Sequence, residues 1–260
     1  MLERLGVEPI KLHCTPDGHF PHNHEPLKAH LTDLSDKVVQ TGADLGIAVY
    51  PDVDRLAFMD EQGTLFGEEY TLVACADFVL SQNKGNTVSN LSSTRALRDV
   101  TQKHGGAYTA SAVGEVNVVN AMKANKAVIG GEGNGGIILP EAHFGRDALV
   151  GIALFLSLLA EKQISVSALK KTYPLYYMSK KKIDLDPNIY VDGLLEAMEN
   201  KYANETLTTV DGVKIDFADS WVHLRKSNTE PIIRIYTEAP SQQQADKLAD
   251  RFIVELKTLS

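Results

Sequence analysis

The chain has 260 residues, of which 43% are hydrophobic and 23% are charged, and its formal net charge is −8. This length predicts more than one domain, and the composition is ordinary for a soluble globular protein. The acidic balance argues against a general nucleic-acid surface, so any anion site requires basic groups that are gathered locally.

The first part of the chain predicts a partial α/β domain. In chain order, its predicted elements are the end of a helix at 1–7, a strand at 9–13, a helix at 27–39, a strand at 45–49 and a hairpin of 56–60 with 64–66. The strand at 45–49 is continuously apolar, which is typical of a parallel sheet buried on both faces. The loop at 50–55 leaves its carboxyl end, where open α/β sheets bind their ligands.

The middle of the chain predicts a second α/β unit, because strands and helices alternate. The predicted helices lie at 70–80, 94–104, 116–124, 146–162 and 167–172, and the predicted strands at 87–91, 108–110, 127–130 and 137–138. The longest apolar run, 148–160, is too short to span a membrane and indicates a buried helix.

The last part of the chain predicts a small α+β domain that follows a polar hinge at 180–182. Its predicted elements are strands at 181–185, 208–210, 213–217, 220–225 and 232–237, with helices at 191–202 and 242–256. Asp211 and Gly212 form a strong hairpin signal between two of these strands.

The two cysteines, Cys14 and Cys75, are too few for a disulfide framework and lack the spacing of a zinc site. We interpret both as reduced, buried thiols, which fits a cytoplasmic protein. The first residues also lack a signal-peptide pattern.

Two carboxylates and an arginine follow the apolar strand, at Asp52, Asp54 and Arg55. Carboxylate oxygens are ligands that Mg²⁺ prefers, and a guanidinium is a bidentate donor to phosphate. The pattern therefore favours a site that handles a phosphoryl group. An acidic turn with a solvated Arg55 is the alternative, because two acids at this spacing are common.

Three segments, 52–55, 131–136 and 225–231, resemble in that order three signature loops of the α-D-phosphohexomutases. That superfamily includes phosphoglucomutase, phosphomannomutase and phosphoglucosamine mutase, and the resemblance covers nearly the whole chain. It implies a C-terminal fragment without domain one and the start of domain two. The implied domains are the remainder of domain two with its metal loop at 1–64, a complete three-layer α/β domain three at 65–176 and a small α+β domain four at 177–260.

The resemblance also implies roles for individual residues. Asp52 and Asp54 match metal ligands, and Arg55 matches the catalytic arginine of the same loop. Glu132 and Asn134 match a sugar-binding loop, for which a simple glycine turn is the alternative. The implied phosphate clamp, for which a polar turn is the alternative, consists of Arg225, Ser227, Asn228 and Thr229. Two further arginines lie near these motifs. We expect Arg146 to open a helix and not to bind substrate, whereas Arg234 either assists the clamp or is a strand-surface residue.

Two departures from the family pattern limit these expectations. Tyr50 stands where the family has its first aspartate, and a neutral phenol is a poor Mg²⁺ ligand, so we expect a weakened or absent metal site. The family's catalytic serine lies in a domain-one loop that is not found here. Ser111 shares only part of that loop's pattern, which argues against it as the nucleophile.

The expected function is therefore part of an enzyme that interconverts hexose 1- and 6-phosphates through a phosphoserine and a bisphosphate, inactive without its domain-one partner. One alternative is a non-catalytic sugar-phosphate binding module. Another, less favoured, is a Mg²⁺-dependent phosphatase with Asp52 as its nucleophile. The histidines His19, His22 and His24 suggest a metal site, but they resemble a connecting loop of domain two.

Overall fold

A computed structural model describes residues 1–20, 23, 28–184, 190–227 and 232–259. Its first part has 3₁₀ turns at Leu2–Leu5 and Lys28–His30, helix α1 at Thr32–Thr41, and strands β1 at Gly46–Val49 and β2 at Leu56–Met59. The turn at the start ends at Gly6 with a left-handed φ of 76°, as the glycine predicted. The predicted strand at 9–13 is absent, and the helix predicted from residue 27 begins at Thr32.

The apolar strand β1 does not belong to a parallel sheet, so that prediction was wrong. It pairs in antiparallel register with β2, from Gly46 opposite Met59 to Val49 opposite Leu56. The strand is not buried on both faces either, because Val49 is exposed and Ile47 and Ala48 are only partly buried. The hairpin predicted from 56–60 and 64–66 is present: Met59 and Leu65 form an antiparallel bridge, the Asp60 N–H donates to the Thr64 carbonyl at 2.8 Å, and the Phe66 N–H donates to the Phe58 carbonyl at 2.9 Å. The β1–β2 turn therefore points residues 50–55 towards the next domain.

The middle of the chain is a three-layer α/β domain, as predicted. Its sheet has the order β4 (Tyr108–Ser111), β3 (Asn86–Asn90), β5 (Ala127–Glu132) and β6 (Gly136–Ile138), with β6 alone antiparallel. The helices are α2 (Glu68–Gln82), α3 (Ala96–Lys103), α4 (Glu115–Asn125), α5 (Ala148–Lys162) and α6 (Val166–Lys170). Side chains of α2, α3, α5 and α6 share one core, whereas α4 packs on the other face.

The first part of the chain is held to this domain by an aromatic contact. Phe58 of β2 stacks on Phe155 of α5 with ring centroids 3.9 Å apart, and Phe66 meets the same ring edge-on. All three rings are fully buried. Burial of aromatic surface is a large stabilising contribution, so β2 is fixed on the domain that follows it.

The last part of the chain is an α+β domain, as predicted. Its antiparallel sheet has the order β7 (Tyr177–Asp184), β11 (Ile232–Ala239), β10 (Trp221–Lys226), β9 (Val213–Asp216) and β8 (Thr206–Thr208). Helices α7 (Val191–Lys201) and α8 (Gln242–Leu259) share a core with this sheet. The hairpin at Asp211 and Gly212 is confirmed, with a left-handed φ of 69° at the glycine. The predicted hinge at 180–182 lies inside β7 instead.

A buried polar interface joins the last two domains. Arg95, just before α3, donates through Nη2 to the Ser220 carbonyl at 2.8 Å, and its backbone N–H donates to Glu238 Oε1 at 3.1 Å. The Trp221 indole donates to the same carboxylate oxygen at 2.8 Å. The two contacts of Arg95 therefore join the middle domain to the last one, and Trp221 holds the Glu238 carboxylate in place.

The two cysteines differ in their exposure to solvent. Cys75 is buried in α2, as predicted, but Cys14 is exposed, so the prediction of two buried thiols was half wrong. No helix within the described ranges is both long and apolar enough to cross a membrane.

Candidate functional site

The acidic loop, residues 50–55, is the turn between β1 and β2. The Tyr50 N–H donates to the Arg55 carbonyl at 3.1 Å, which closes the turn, and Val53 adopts a left-handed φ of 57°. Tyr50 is buried, and the guanidinium carbon of Arg55 lies 3.7 Å from the centroid of its ring. A guanidinium over an aromatic face at this distance is a cation–π contact, so the tyrosine fixes the arginine.

The glycine loop, residues 131–136, connects β5 to β6 and touches the acidic loop through the backbone. The Leu56 N–H donates to the Gly135 carbonyl at 3.3 Å, and Arg55 forms an isolated bridge with Gly136. Gly135 has φ +87°, and a Cβ there would collide with the carbonyl of Leu56. Only glycine allows the two backbones to approach this closely.

Glu132 is nearly fully buried, and both oxygens of its carboxylate accept hydrogen bonds. Oε1 accepts from Asn90 Nδ2 at 2.8 Å and from the Gly114 N–H at 3.2 Å, and Oε2 accepts from Arg146 Nη1 at 2.9 Å. Asn134 uses its carbonyl oxygen to accept from the Gly136 N–H at 3.2 Å, which closes the turn. Both predicted sugar ligands are therefore positioned by the protein itself.

Arg146 is the residue that the sequence analysis undervalued. Helix α5 begins at Ala148 with Asp147 as its cap, so Arg146 precedes the helix and does not open it. Its guanidinium reaches carboxylates from three segments: Asp54 Oδ2 at 2.6 Å, Glu132 Oε2 at 2.9 Å and Glu115 Oε2 at 3.3 Å. One side chain thus joins the acidic loop to the glycine loop.

The predicted clamp lies at the end of strands β10 and β11. Arg225 and Arg234 are direct partners in the register of these strands, and Lys182 of β7 is the partner of Arg234 on its other side. Like charges directly opposite each other destabilise a sheet unless an anion compensates them. The Ser227 N–H donates to the Ile232 carbonyl at 3.0 Å, and Asn228 and Thr229 lie outside the described residues.

A cavity of about 550 Å³ opens beside this row of cations. Arg225, Ser227 and Arg234 line its sheet side. The side formed by α7 is acidic, with Asp192, Glu196 and Glu199. An anion would therefore be held against the sheet and kept away from the helix.

Asp211 connects the clamp to the glycine loop. Its Oδ2 accepts from the Val113 N–H at 2.9 Å and lies 3.5 Å from Arg225 Nη1. The next residue in the chain, Gly114, donates to Glu132. The acidic loop, the glycine loop and the clamp are thus linked by one continuous set of polar contacts.

The residues of the acidic loop do not fit a magnesium site. Asp52 is exposed, but Arg55 Nε lies 3.4 Å from one oxygen of Asp54 and Arg146 Nη2 lies 2.6 Å from the other. A hydrogen bond from Asp54 lowers the pKa of Asp52, whereas burial raises the pKa of Asp54. Within the described residues, no three acidic, histidine or cysteine side chains are grouped to hold a metal.

Three supporting residues were missed by sequence reasoning: Asn90, Glu115 and Asp211. Asn90 ends β3 at the carboxyl edge of the parallel sheet, which is a signal that could have identified it. The contacts of the other two are made between segments far apart in the chain, and no local pattern reports such contacts. Ser111 is nearly buried and donates to the Ala112 carbonyl, so it has no features of a nucleophile.

Of the three histidines that suggested a metal site, only His19 lies within the described residues. His19 is exposed, and its N–H donates to the Asp17 carboxylate at 2.9 Å. His22 and His24 lie outside the described residues.

Sequence models of one protein family cover almost the whole chain. The phosphoglucomutase/phosphomannomutase models match as alpha/beta/alpha domain II at residues 1–63, alpha/beta/alpha domain III at 67–176 and the C-terminal domain at 180–254. The chain belongs to the phosphoglucomutase/phosphomannomutase family. The resemblance to the phosphohexomutases is thereby confirmed.

Individual members of the family agree with this assignment. A phosphoglucomutase/phosphomannomutase of Thermococcus kodakarensis is 36% identical over 94% of this chain and 54% of its own length. A probable phosphoglucosamine mutase of Methanopyrus kandleri is 34% identical over 97% of this chain and 57% of its own length. The chain thus spans about half the length of the curated relatives it matches.

A solved structure from the phosphoglucomutase/phosphomannomutase family shares the fold. The crystal structure of a family protein from Burkholderia thailandensis superposes with a TM-score of 0.85 over 98% of this chain and 56% of that one, at 29% identity. A phosphomannomutase from Thermus thermophilus, described as putative, matches with a TM-score of 0.72 at 22% identity, which shows the fold alone.

Proposed function

We propose that this chain is the sugar- and phosphate-binding part of an enzyme that interconverts hexose 1-phosphates and 6-phosphates. The observation that carries the proposal is the continuous set of polar contacts that links the acidic loop, the glycine loop and the clamp. The names of the relatives, phosphoglucomutase/phosphomannomutase and probable phosphoglucosamine mutase, support this class of hexose. A further domain of the same protein and a hexose phosphate are the partners.

Each loop has a separate task in this proposal. Glu132 and Asn134 bind vicinal hydroxyls of the sugar, because a carboxylate and an amide together accept and donate hydrogen bonds. Arg225, Ser227, Asn228 and Thr229, with Arg234 beside them, bind the phosphate that does not react. Positioning is the main requirement of phosphoryl transfer, so a rigidly held sugar is a catalytic contribution.

Arg55 is the proposed catalytic residue of this chain. Its guanidinium is partly exposed, and Tyr50 holds it in place from below. A guanidinium aimed at the transferring phosphoryl group stabilises the charge on its equatorial oxygens. The donor set of the acidic loop does not fit a metal ion, so we assign this charge stabilisation to Arg55.

The proposed reaction exchanges phosphoryl groups between a serine and the sugar. A phosphoserine on domain one transfers its phosphoryl group to the free hydroxyl of the hexose phosphate: the serine O–P bond breaks, a sugar O–P bond forms, and the hydroxyl proton passes to the serine oxygen. The bisphosphate turns over in the site, and its other phosphoryl group returns to the serine oxygen. Because that serine is supplied by another domain, we expect the isolated chain to bind sugar phosphate without turning it over.

Calorimetric titration with glucose 6-phosphate tests the proposed binding site. We expect Arg225→Met to weaken binding at least about tenfold, because it removes a charged donor to phosphate. Arg251→Met is a matched control: it removes an arginine from α8, which pairs with Glu255 and does not line the cavity beside the clamp. Equal affinities of Arg225→Met and the unchanged protein would rule out the clamp.

A non-catalytic binding module is the second candidate, and the departure at Tyr50 favours it. Fusing this chain to domain one of a related mutase distinguishes the two functions. Mutase activity of the fusion supports the enzyme. Sugar-phosphate binding without activity supports the module.

A further inference from the structure

We infer that the guanidinium of Arg146 is the counter-ion of the acidic loop in place of a divalent cation, and that it fastens this loop to the glycine loop. The inference rests on the proposed function only for the expectation that a metal belongs there. The contacts of Arg146 and the measurement of bound metal do not depend on sugar binding.

Both oxygens of Asp54 are already opposite a cation. Arg146 Nη2 lies 2.6 Å from Oδ2, and Arg55 Nε lies 3.4 Å from Oδ1. The side chains of Asp54 and Arg146 are only 15% and 20% exposed, so solvent screens their attraction weakly. A magnesium ion at Asp54 would have to displace two guanidinium groups and shed part of its own hydration shell.

Tyr50 places an aromatic ring where the family pattern has a third carboxylate. Tyr50 is buried, and the Arg55 guanidinium carbon lies 3.7 Å from the centroid of its ring. This contact places a second fixed positive charge beside Asp52 and Asp54. Two nearby positive charges oppose the entry of a third by Coulomb repulsion.

The position of Arg146 is determined by its backbone as well as by its side chain. Its N–H donates to Glu115 Oε1 at 3.0 Å. Just after it, the Asp147 N–H donates to the Ile137 carbonyl at 2.9 Å and the Ala148 N–H donates to the Val53 carbonyl at 3.0 Å. The segment that carries the arginine is therefore bound to the acidic loop and to β6, the strand that follows the glycine loop.

The three ion pairs of Arg146 differ in quality. Its two terminal nitrogens bond to Asp54 and Glu132 at 2.6 and 2.9 Å. Its Nε lies 3.3 Å from Glu115 Oε2 but has no partner with hydrogen-bond geometry. The two shortest contacts are therefore those to the acidic loop and to the glycine loop, so Arg146 holds these two loops together.

The inference is tested by titrating the chain with Mn²⁺, a spectroscopic substitute for Mg²⁺, and measuring bound metal by electron paramagnetic resonance. We expect the unchanged protein and Asp54→Asn to show the same weak binding. Arg146→Met leaves three carboxylates without their shared cation, so we expect Mn²⁺ affinity to rise at least about tenfold. Arg98→Met, which removes an arginine paired with one carboxylate, is the matched control and should change nothing.

Tight Mn²⁺ binding by the unchanged protein that is lost in Asp54→Asn would overturn the inference, whether or not Arg146→Met folds. A folded Arg146→Met without any gain in affinity would also overturn it. If that variant does not fold, Arg146→Lys, which keeps one charge but cannot bridge two carboxylates, should show a smaller gain. Glucose 6-phosphate titrations with and without EDTA separate a failure of this inference from a failure of the proposed site.

Discussion

A single glycine decides how closely the acidic loop and the glycine loop approach each other. Gly135 combines a left-handed backbone with a tight contact to the carbonyl of Leu56. Its own carbonyl accepts from the Leu56 N–H. The position therefore has two separate reasons to be glycine, one conformational and one steric.

These two reasons can be separated by substitution. Gly105 has a similar φ of +78° but open space around it, so Gly105→Ala measures the conformational cost alone, roughly 1 kcal/mol. We expect Gly135→Ala to lower the free energy of unfolding by roughly 1–3 kcal/mol more, because the backbone of Leu56 must move. Urea unfolding of both variants measures the difference, and equal losses would contradict the close approach.

The residue scale also marks the limit of sequence reasoning at the site. Tyr50, Asp54 and Arg55 could be singled out because they are adjacent in the chain. The role of Arg146 could not be predicted, because it depends on carboxylates at least 14 residues earlier in the chain, which no local spacing reports. Pattern reasoning found each loop but missed the side chain that joins two of them.

At the scale of elements, the N-terminus of α2 lies between the glycine loop and the last domain. Glu69 of this helix accepts from the Thr94 N–H at 2.9 Å and pairs with Lys180 of β7 at 3.3 Å. Burial raises the pKa of Glu69 from 4.5 to about 7. The other charged groups that face it, Glu238 of β11 and its neighbour Glu68, act in the same direction.

This raised pKa predicts a pH-dependent stability. Between pH 4.5 and 7 the folded protein binds the Glu69 proton more tightly than the unfolded chain does, so this stabilisation is lost as the pH rises through 7. Glu69→Gln mimics the protonated form at every pH. Its stability relative to the unchanged protein should therefore rise by roughly 1–3 kcal/mol from pH 5 to pH 8.

Urea unfolding at several pH values measures this relative stability. His223 affects stability in the opposite direction. Burial lowers its pKa from 6.5 to about 4, so its contribution to the free energy of unfolding rises with pH between 4 and 6.5. It is present in both proteins, so its effect cancels in the comparison. A difference between the two proteins that does not vary with pH would contradict the raised pKa of Glu69.

Sequence prediction succeeded most for individual helices and strands. The long helix α5 was predicted from its apolar run, and the hairpin between β8 and β9 from Asp211 and Gly212. Strand β1 was found, but its partner was not, because pairing is decided by packing on α1 and on the middle domain. Patterns local to the chain report which element forms and leave its neighbours undetermined.

At the scale of the whole molecule, an acidic protein carries its cations where an anionic substrate would need them. Arg225, Arg234 and Lys182 stand side by side across three strands. The face of β10 that includes Arg225 also supplies His223, which bonds to Ser92 of the middle domain at 2.8 Å. The sheet that carries the clamp is thus docked directly on the domain that carries the glycine loop.

The most direct test of this account is a crystal structure of the chain with bound glucose 6-phosphate. The account predicts sugar hydroxyls within about 3.2 Å of Glu132 or Asn134 and phosphate oxygens within the same distance of Arg225 and Ser227, in one molecule of ligand. A ligand that contacts only one of these loops, or that binds elsewhere on the chain, would contradict it.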